Sequence, residues 1–204
     1  GGFLSSYVHS SVSGTVDKVD IVEDATGRRV QAVFIKVEGD EWEESIDRSK
    51  DIVREIKLEK QEIIDKVKAM GIVGMGGATF PTQVKLAPPP TAKPECVIIN
   101  AVECEPYLTS DHSLMLAHPE EICIGVQILE KAIGVKKAYI GIEANKPDAI
   151  KLMTETAKKS FPEIEIVPLK LKYPQGGEKQ LINAVIGKEV PSGGLPIATG
   201  ALVQ

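Results

Sequence analysis

The stretch from Cys96 to Gly187 alternates short apolar runs with longer amphipathic segments, and this alternation restricts the possible folds more than any other feature. Proline stands at the start of two amphipathic segments and glycine just beyond the ends of two, as is typical of helices. The predicted strands are residues 96–99, 138–142 and 164–169, and the predicted helices are residues 119–133, 147 to about 160, and 178–186. This alternation predicts an α/β fold, with a mostly parallel sheet and helices on both faces.

Two further segments precede this region. Residues 1–44 have the pattern of β structure, with a hairpin turn at residues 24–29 and period-two alternation over residues 30–37. A β segment of this size buries little apolar surface by itself, so we expect a small partial β unit that leans on the rest. Residues 45–70 carry apolar residues at helical spacing and end before Gly71, which predicts one charged helix. We therefore divide the chain into a β segment (residues 1–44) and an α/β domain (residues 45–204).

Composition argues against several functional classes. The chain has 204 residues and is 43% hydrophobic, so it can bury a sizeable core. Its net charge of −5 provides no basic face for nucleic acid, and no apolar run is long enough to span a bilayer. We therefore expect no nucleic-acid partner and no direct membrane insertion. Cys96, Cys104 and Cys123 lack CxxC spacing, which disfavours a disulfide framework and indicates a cytosolic setting.

Residues 71–82 contain four glycines in seven residues, followed by a Phe-Pro step. Because Gly74, Gly76 and Gly77 have no Cβ, their peptide N–H groups can approach phosphate oxygens closely. Pro81 sets φ for the first turn of a following helix, whose N-terminus also favours negative charge. The bare pattern fits a simple glycine-rich turn equally well, so its interpretation depends on the other loops.

Three predicted loops fall at the carboxyl ends of the strands, where parallel sheets bind their ligands: residues 100–107, 143–146 and 173–179. The first carries Asn100, Glu103 and Glu105, which can accept hydrogen bonds from ribose or ring groups or can simply face water. The third is a Gly-Gly turn that enters a helix at Gly177 and Glu178. Glycine there allows a cofactor to approach closely, whereas a first-turn glutamate is also a routine helix stabiliser.

The remaining polar residues indicate little further chemistry. Lys85 follows the Phe-Pro step by about one helical turn and could pair with a phosphate, or could be a solvated lysine. His9, His112 and His118 do not cluster with acids or cysteines at the spacing of metal ligands. Cys104 lies between two glutamates, which disfavour its thiolate, so we expect no nucleophile there.

Three ordered motifs together resemble the flavin-binding subunit of NADH:quinone oxidoreductase. They are Gly-x-x-Gly-x-Gly-Gly-Ala-x-Phe-Pro-Thr at residues 71–82, Asn-Ala-x-Glu-x-Glu-Pro at residues 100–106, and Gly-Gly-Glu-Lys at residues 176–179. Within this family, residues 71–85, 102–106 and 200–204 more closely resemble the C subunit of the Rnf electron-transport complex. Residues 8–16 are similar to the lipoyl-like β-sandwich segment of that subunit. The resemblance covers nearly the whole chain and implies a Rossmann-like sheet preceded by a partial lipoyl-like segment.

The resemblance implies that an FMN lies in the crevice at the sheet edge, with NAD(H) stacked over it. The implied reaction is hydride transfer between nicotinamide and flavin N5, with the protein supplying position and electrostatics. The implied cofactor-binding residues are Gly74, Gly76 and Gly77 at the phosphates, Phe80 at the adenine, Lys85 and Asn100 at FMN, Glu103, Glu105, Gly177 and Glu178 along the flavin and nicotinamide pocket, and Gln204, where the family continues into a flavin contact.

The resemblance also implies a cellular setting. The chain would lie peripherally on the cytoplasmic face of the cell membrane, with other subunits of the Rnf-type complex as partners and ferredoxin as an indirect one. Met75 and Val102 replace an arginine and an aspartate of the NADH:quinone oxidoreductase relative, so one charge partner for a phosphate is absent. The 4Fe-4S clusters of the family would belong to a part beyond Gln204, so we expect this chain to be a fragment.

Three alternatives stay open. A soluble corrinoid reductase related to the Rnf subunit would share the fold and differ only in its electron acceptor. A non-catalytic docking domain could have kept the fold and lost the cofactor, although the intact Asn100, Glu105 and Glu178 argue against this. A generic phosphate-binding α/β protein would not need the paired glutamates or the second Gly-Gly turn.

Overall fold

The computed structural model describes residues 4–75 and 79–204, which form two compact units. Residues 8–51 make the smaller unit, and residues 4–7 and 52–204 belong to the larger one. The division expected after residue 44 therefore falls inside the smaller unit. The difference arises because Ile52 and Ile56 are the first residues after the β segment that pack against the large core.

The smaller unit contains one antiparallel hairpin, formed by β1 (Gly14–Glu23) and β2 (Arg29–Val37). Its turn is stabilised by the Asp24 carboxylate, which accepts hydrogen bonds from the backbone N–H groups of Thr26 and Arg28 at 2.8 and 3.0 Å. A short polar side chain that bonds the backbone two residues on is a common turn device. The hairpin lies where the alternation predicted it, and the lipoyl-like character of the segment stays a prediction.

The single helix expected over residues 45–70 is wrong in its first half. Only α1 (Lys60–Ala69) forms, and residues 45–59 have no helical turns. A capping box starts the helix, because the Glu62 side chain accepts a hydrogen bond from the Glu59 N–H at 2.7 Å. The apolar residues before it, including Ile52 and Ile56, pack against the core from an extended chain, so their spacing mimicked a helix.

The larger unit is built on a four-stranded parallel sheet. Its strands are β3 (Cys96–Ala101), β4 (Ala138–Glu143), β5 (Ile164–Leu169) and β6 (Ala201–Val203), in the order β5–β4–β3–β6. Three of these strands were expected from the sequence. The fourth, β6, has only three residues and was not predicted, because its pairing with β3 depends on residues about a hundred positions earlier.

Helices cover both faces of this sheet, which confirms the predicted α/β architecture. After α1 come α2 (Thr82–Lys85), α3 (Ser110–Ala117), α4 (Pro119–Ile133), α5 (Pro147–Ser160) and α6 (Glu178–Ile186), with a short 3-10 helix at Pro196–Thr199. On one face, α1, α4 and α5 bury Val97 and Ile140 of the sheet. On the other, Leu181 and Ile182 of α6 pack on Ile98. Over residues 4–75 and 79–204, no helix combines the length and the apolar character needed to cross a membrane.

Glu130 of α4 gives the fold a measurable pH dependence. The residue is 6% exposed, and burial, followed by the charge of Glu163, raises the pKa of Glu130 from 4.5 to about 7. The unfolded chain therefore releases this proton at lower pH than the folded chain does. This contribution to stability is present below pH 4.5 and is lost as the pH rises through about 7, for a total of roughly 3 kcal/mol.

We expect the variant Glu130→Gln to remove this loss of folding stability with rising pH. Urea denaturation of wild type and variant between pH 5 and pH 8 measures it, with the exposed Glu155→Gln on α5 as a matched control. If the stability of wild type, Glu130→Gln and Glu155→Gln falls equally over this pH range, the pH dependence does not arise from Glu130.

Candidate functional site

The sheet has one topological switch point, where the chain leaves β3 in one direction for β4 and β5 and returns on its other side as β6. Ligands of open α/β sheets bind outside the carboxyl ends of the strands at such a point. The ends of β3 and β6 are joined there, because Asn100 N–H donates to the Gln204 carbonyl at 2.8 Å and Gln204 N–H donates to the Ile98 carbonyl at 3.0 Å. The topology therefore points to the crevice above Asn100 and Gln204.

The glycine-rich loop lies next to this crevice. Its base is closed by hydrogen bonds from Gly74 N–H to the Phe80 carbonyl at 3.0 Å and from Thr82 N–H to the Ile72 carbonyl at 3.1 Å. A Cβ on Gly74 would come 3.9 Å from Gln204 Nε2, which places that glycine at the end of β6. The predicted amide contacts of Gly76 and Gly77 lie outside the described residues.

Lys85 connects the loop, the sheet and α6. Its Nζ donates a hydrogen bond to the Val203 carbonyl at 2.8 Å and lies 3.8 Å from Glu178 Oε1. The same ammonium group is 5.9 Å from the centre of the Phe80 ring, within the range of a cation–π contact. The Lys85 side chain is 23% exposed and is held by the Val203 carbonyl, so it is not fully solvated, and its pairing with a phosphate stays a prediction.

The Gly-Gly turn meets the end of β3 through Asn100. Its Nδ2 donates to the Gly176 carbonyl at 2.9 Å, and its Oδ1 accepts from Val102 N–H at 3.3 Å. A Cβ on Gly176 would lie 3.0 Å from the Val102 carbonyl oxygen, so glycine favours the close approach of the two segments. Gly177 caps α6, and Glu178 occupies its first turn.

Glu103 has its carboxylate buried beneath the edge, and its side chain is 2% exposed. It accepts hydrogen bonds from Lys146 Nζ at 2.8 Å and from the backbone N–H groups of Asp111 and His112 at 2.8 and 3.1 Å. Burial alone would raise the pKa of Glu103, but these three hydrogen bonds hold it below its ordinary value. The carboxylate thus caps α3, whose own cap residue Thr109 makes no side-chain cap bond. Its lining of a flavin pocket stays a prediction.

Glu105 differs from Glu103 in exposure. It lies two residues further along the same loop and faces solvent, and its backbone carbonyl accepts a hydrogen bond from Leu108 N–H at 3.4 Å. The next aromatic residue, Tyr107, is fully exposed and has a φ of 70°. Of the two glutamates of the motif, Glu103 is therefore buried and holds the start of α3, whereas the carboxylate of Glu105 faces solvent.

A buried lysine between two carboxylates was missed by sequence reasoning. Lys146 Nζ lies 2.8 Å from Glu103 Oε2 and 3.6 Å from Glu143 Oε2, and the three side chains are 7%, 2% and 0% exposed. The sequence placed residues 143–146 at the carboxyl edge but gave no sign that both charged side chains are buried. Charged residues are seldom fully buried unless they are paired, so only the packing reveals this cluster.

Gln175 was also missed, and it shares a property with Gln204. Both side-chain amide oxygens are buried and accept no hydrogen bond from the described part of the chain. The Gln204 amide nitrogen donates to Thr82 Oγ1 at 3.0 Å, so its orientation is set. Buried acceptors normally have a donor, and these two oxygens at the crevice are free to bind the polar groups of a ligand.

A groove with a volume of about 740 Å³ lies at the opposite edge of the sheet. It is lined by residues just before β3 and β6, such as Glu95 and Gly200. Of the two lysines that line it, Lys188 is already bound to Glu95 at 2.6 Å and to the Thr199 carbonyl at 3.0 Å, and Lys93 is exposed. The amino edge of a parallel sheet is not its usual binding edge, so we assign the site to the carboxyl edge.

The chain is similar to several known proteins. Residues 67–204 match the Nuo51 FMN-binding domain. The C subunit of the proton-translocating ferredoxin:NAD(+) oxidoreductase complex of Clostridium ljungdahlii is 46% identical over 205 aligned positions, which cover 99% of this chain and 43% of that protein. The corresponding subunit of the Na(+)-translocating ferredoxin:NAD(+) oxidoreductase complex of Acetobacterium woodii is 45% identical over 207 positions, covering 100% of this chain and 45% of that protein.

The fold is also similar to that of a solved structure. The NAD+-reducing NiFe hydrogenase in its H2-reduced state superposes with a TM-score of 0.58 and 27% identity, over 72% of this chain and 28% of the hydrogenase chain. The chain spans less than half the length of the two curated relatives. These comparisons confirm the resemblance that the three sequence motifs indicated.

Proposed function

This chain belongs to the family of the Nuo51 FMN-binding domain, and from that premise we propose that it binds FMN and NAD(H) at the carboxyl edge of its sheet. In this proposal it is the flavin module of an ion-translocating ferredoxin:NAD(+) oxidoreductase complex, as the names of its relatives suggest. The observation that carries the proposal is the convergence of the glycine loop, the ends of β3 and β6, and the Gly-Gly-Glu turn on one crevice. Lys85 and Asn100 hold these segments together.

The residues present fit a flavin mononucleotide. The Gly74 N–H is donated to the Phe80 carbonyl, so Gly74 offers a ligand the open space where a Cβ would stand and not its amide. Lys85 can bind an anion or a ring oxygen as a point charge. The buried amide oxygens of Gln175 and Gln204 can accept hydrogen bonds from ribityl hydroxyls or a flavin ring N–H.

The other predicted site residues would contact the adenine, the phosphates and the nicotinamide. When bound, FMN supplies hydride exchange with NAD(H) and the passage of single electrons to iron–sulfur clusters. Phe80, which is 37% exposed, offers a ring face for stacking of the adenine. The role of Gly76 and Gly77 at a phosphate rests on the sequence motif. The exposed carboxylate of Glu105 and the first-turn carboxylate of Glu178 orient the nicotinamide side of the pocket, and Gly177 is the N-cap of the helix that Glu178 begins.

The cellular setting is part of the proposal. The partners would be the other subunits of the complex, with ferredoxin as an indirect one, and the position peripheral on the cytoplasmic face of the membrane. The 4Fe-4S clusters would be held outside this chain. The named relatives favour this setting over the corrinoid reductase, since they are subunits of ferredoxin:NAD(+) oxidoreductase complexes.

Titration of the full-length protein with FMN tests the proposal. We expect saturable quenching of flavin fluorescence with one FMN per chain, followed by bleaching of the bound flavin when NADH is added under nitrogen. A protein that folds but shows no saturable quenching would support the docking-domain alternative and refute the proposal.

Lys85→Met is expected to weaken FMN binding by roughly 10- to 100-fold. A hydrogen bond from a charged group contributes about 1.5–3 kcal/mol, and the variant loses the Val203 contact together with any contact to the flavin. Lys93→Met is the matched control, because Lys93 is exposed and lines the groove at the opposite edge. Equal affinities for the two variants would remove Lys85 from the site.

A further inference from the structure

The cluster of Glu103, Lys146 and Glu143 lies beside the proposed flavin crevice, but the proposed reaction gives Lys146 and Glu143 no part. Glu143 ends β4, Lys146 precedes α5, and Glu103 follows β3, so three elements bring one cation and two anions together. We call these three side chains the buried triad. Its formal charge is −1, and none of its members is more than 7% exposed.

The contacts within the buried triad are unequal. Glu103 is fully engaged, with Lys146 at 2.8 Å and two backbone N–H groups of α3. Glu143 has both carboxylate oxygens buried and without a hydrogen-bond partner in residues 4–75 and 79–204, and its nearest cation is Lys146 at 3.6 Å. A buried carboxylate with no donor is costly, so its retention calls for a reason other than stability.

The position of the triad relative to the crevice supplies a reason. Neighbouring strands are about 4.8 Å apart, and β4 is the direct neighbour of β3, whose end forms one wall of the crevice. The triad is shielded from solvent, so its charge is screened less at the crevice than a surface charge would be. The other nearby pair, His112 Nε2 and Asp148 Oδ1 at 2.9 Å, lies on the exposed side of α3 and α5.

We propose that the buried triad tunes the flavin site electrostatically, its net negative charge favouring bound oxidised flavin over the reduced, anionic form. This inference rests on the proposed function and deepens it. Glu143 supplies the excess charge, and Lys146 is a positioning residue that holds Glu103 and offsets half of the carboxylate charge. Neither residue needs to touch the cofactor.

The test is the midpoint potential of FMN bound to the full-length protein, measured by spectroelectrochemical titration of the flavin band. Glu143→Gln makes the triad neutral and changes no hydrogen bond of the described structure. We expect a more positive potential, equivalent to roughly 20- to 300-fold tighter binding of reduced relative to oxidised flavin, from Coulomb's law across one to two strand spacings of about 4.8 Å at an effective dielectric constant near 20. An unchanged potential would overturn the proposal.

Three further variants separate charge from structure. Glu155→Gln removes an exposed carboxylate of α5 and should leave the potential unchanged. Lys146→Arg keeps the charge and should also leave it unchanged. The double variant Glu143→Gln/Lys146→Gln restores a net charge of −1 with both residues replaced, so its potential should return toward the wild-type value. If the midpoint potential of the double variant shifts as far as that of Glu143→Gln, or further in the same direction, the shift is structural and the proposal is overturned.

The same experiment distinguishes this inference from the proposed function. If the wild-type protein binds no FMN, the proposed function fails and the tuning role with it. If the wild type binds FMN and Glu143→Gln binds it with the wild-type potential, only the tuning role fails.

Discussion

Replacement of Lys146 by methionine is expected to destabilise the larger unit by about 3–5 kcal/mol, the range found when one partner of a buried ion pair is removed. The variant leaves the carboxylates of Glu103 and Glu143 buried with no cation between them. The total stability of a domain is about 5–15 kcal/mol, so a large part would be lost. Urea denaturation followed by circular dichroism measures the effect.

The control is Lys151→Met, which removes an exposed lysine from the same helix and should change the stability by less than about 0.5 kcal/mol. A second comparison tests the cause. Adding Glu143→Gln to Lys146→Met removes one of the two uncompensated charges and should recover part of the loss. A loss below about 1 kcal/mol for Lys146→Met would mean that the buried triad is not a tight ionic cluster in solution.

Asn100→Asp is expected to weaken FMN binding at least about 100-fold, which corresponds to about 2.7 kcal/mol. The change replaces the donor Nδ2 by an acceptor at a position 2.9 Å from the Gly176 carbonyl oxygen, so an attraction becomes a repulsion between two acceptors. It also adds a negative charge beneath a cofactor that carries a phosphate. The repulsion pushes the Gly-Gly turn away from the end of β3 and widens the crevice, and the added charge repels the cofactor itself.

The matched control is Asn183→Asp, the same chemical change at an exposed position of α6. Fluorescence titration with FMN gives both affinities, and circular dichroism shows whether each variant is folded. Folded Asn100→Asp protein with wild-type affinity would show that the contact between β3 and the Gly-Gly turn does not shape the flavin site.

The sequence by itself determined the elements whose boundaries are local. Helix α4 begins at a proline and ends before Gly134, which has a φ of 84°, and α6 ends before Gly187 in the same way. Such signals act within one helical turn, so they can be read without a partner. The three glycine- and acid-containing motifs were likewise visible, and they indicated the family correctly.

The tertiary structure alone decided which of these local features meet. Strand β6 exists only because it pairs with β3, and Lys85 reaches the crevice only because the Val203 carbonyl lies there. The burial of Lys146, Glu143 and Gln175 also comes from packing, since a charged or polar residue in a loop normally faces water. Pairing, burial and the charge of the crevice depend on contacts between distant positions, whereas caps and turns depend on neighbours in the chain.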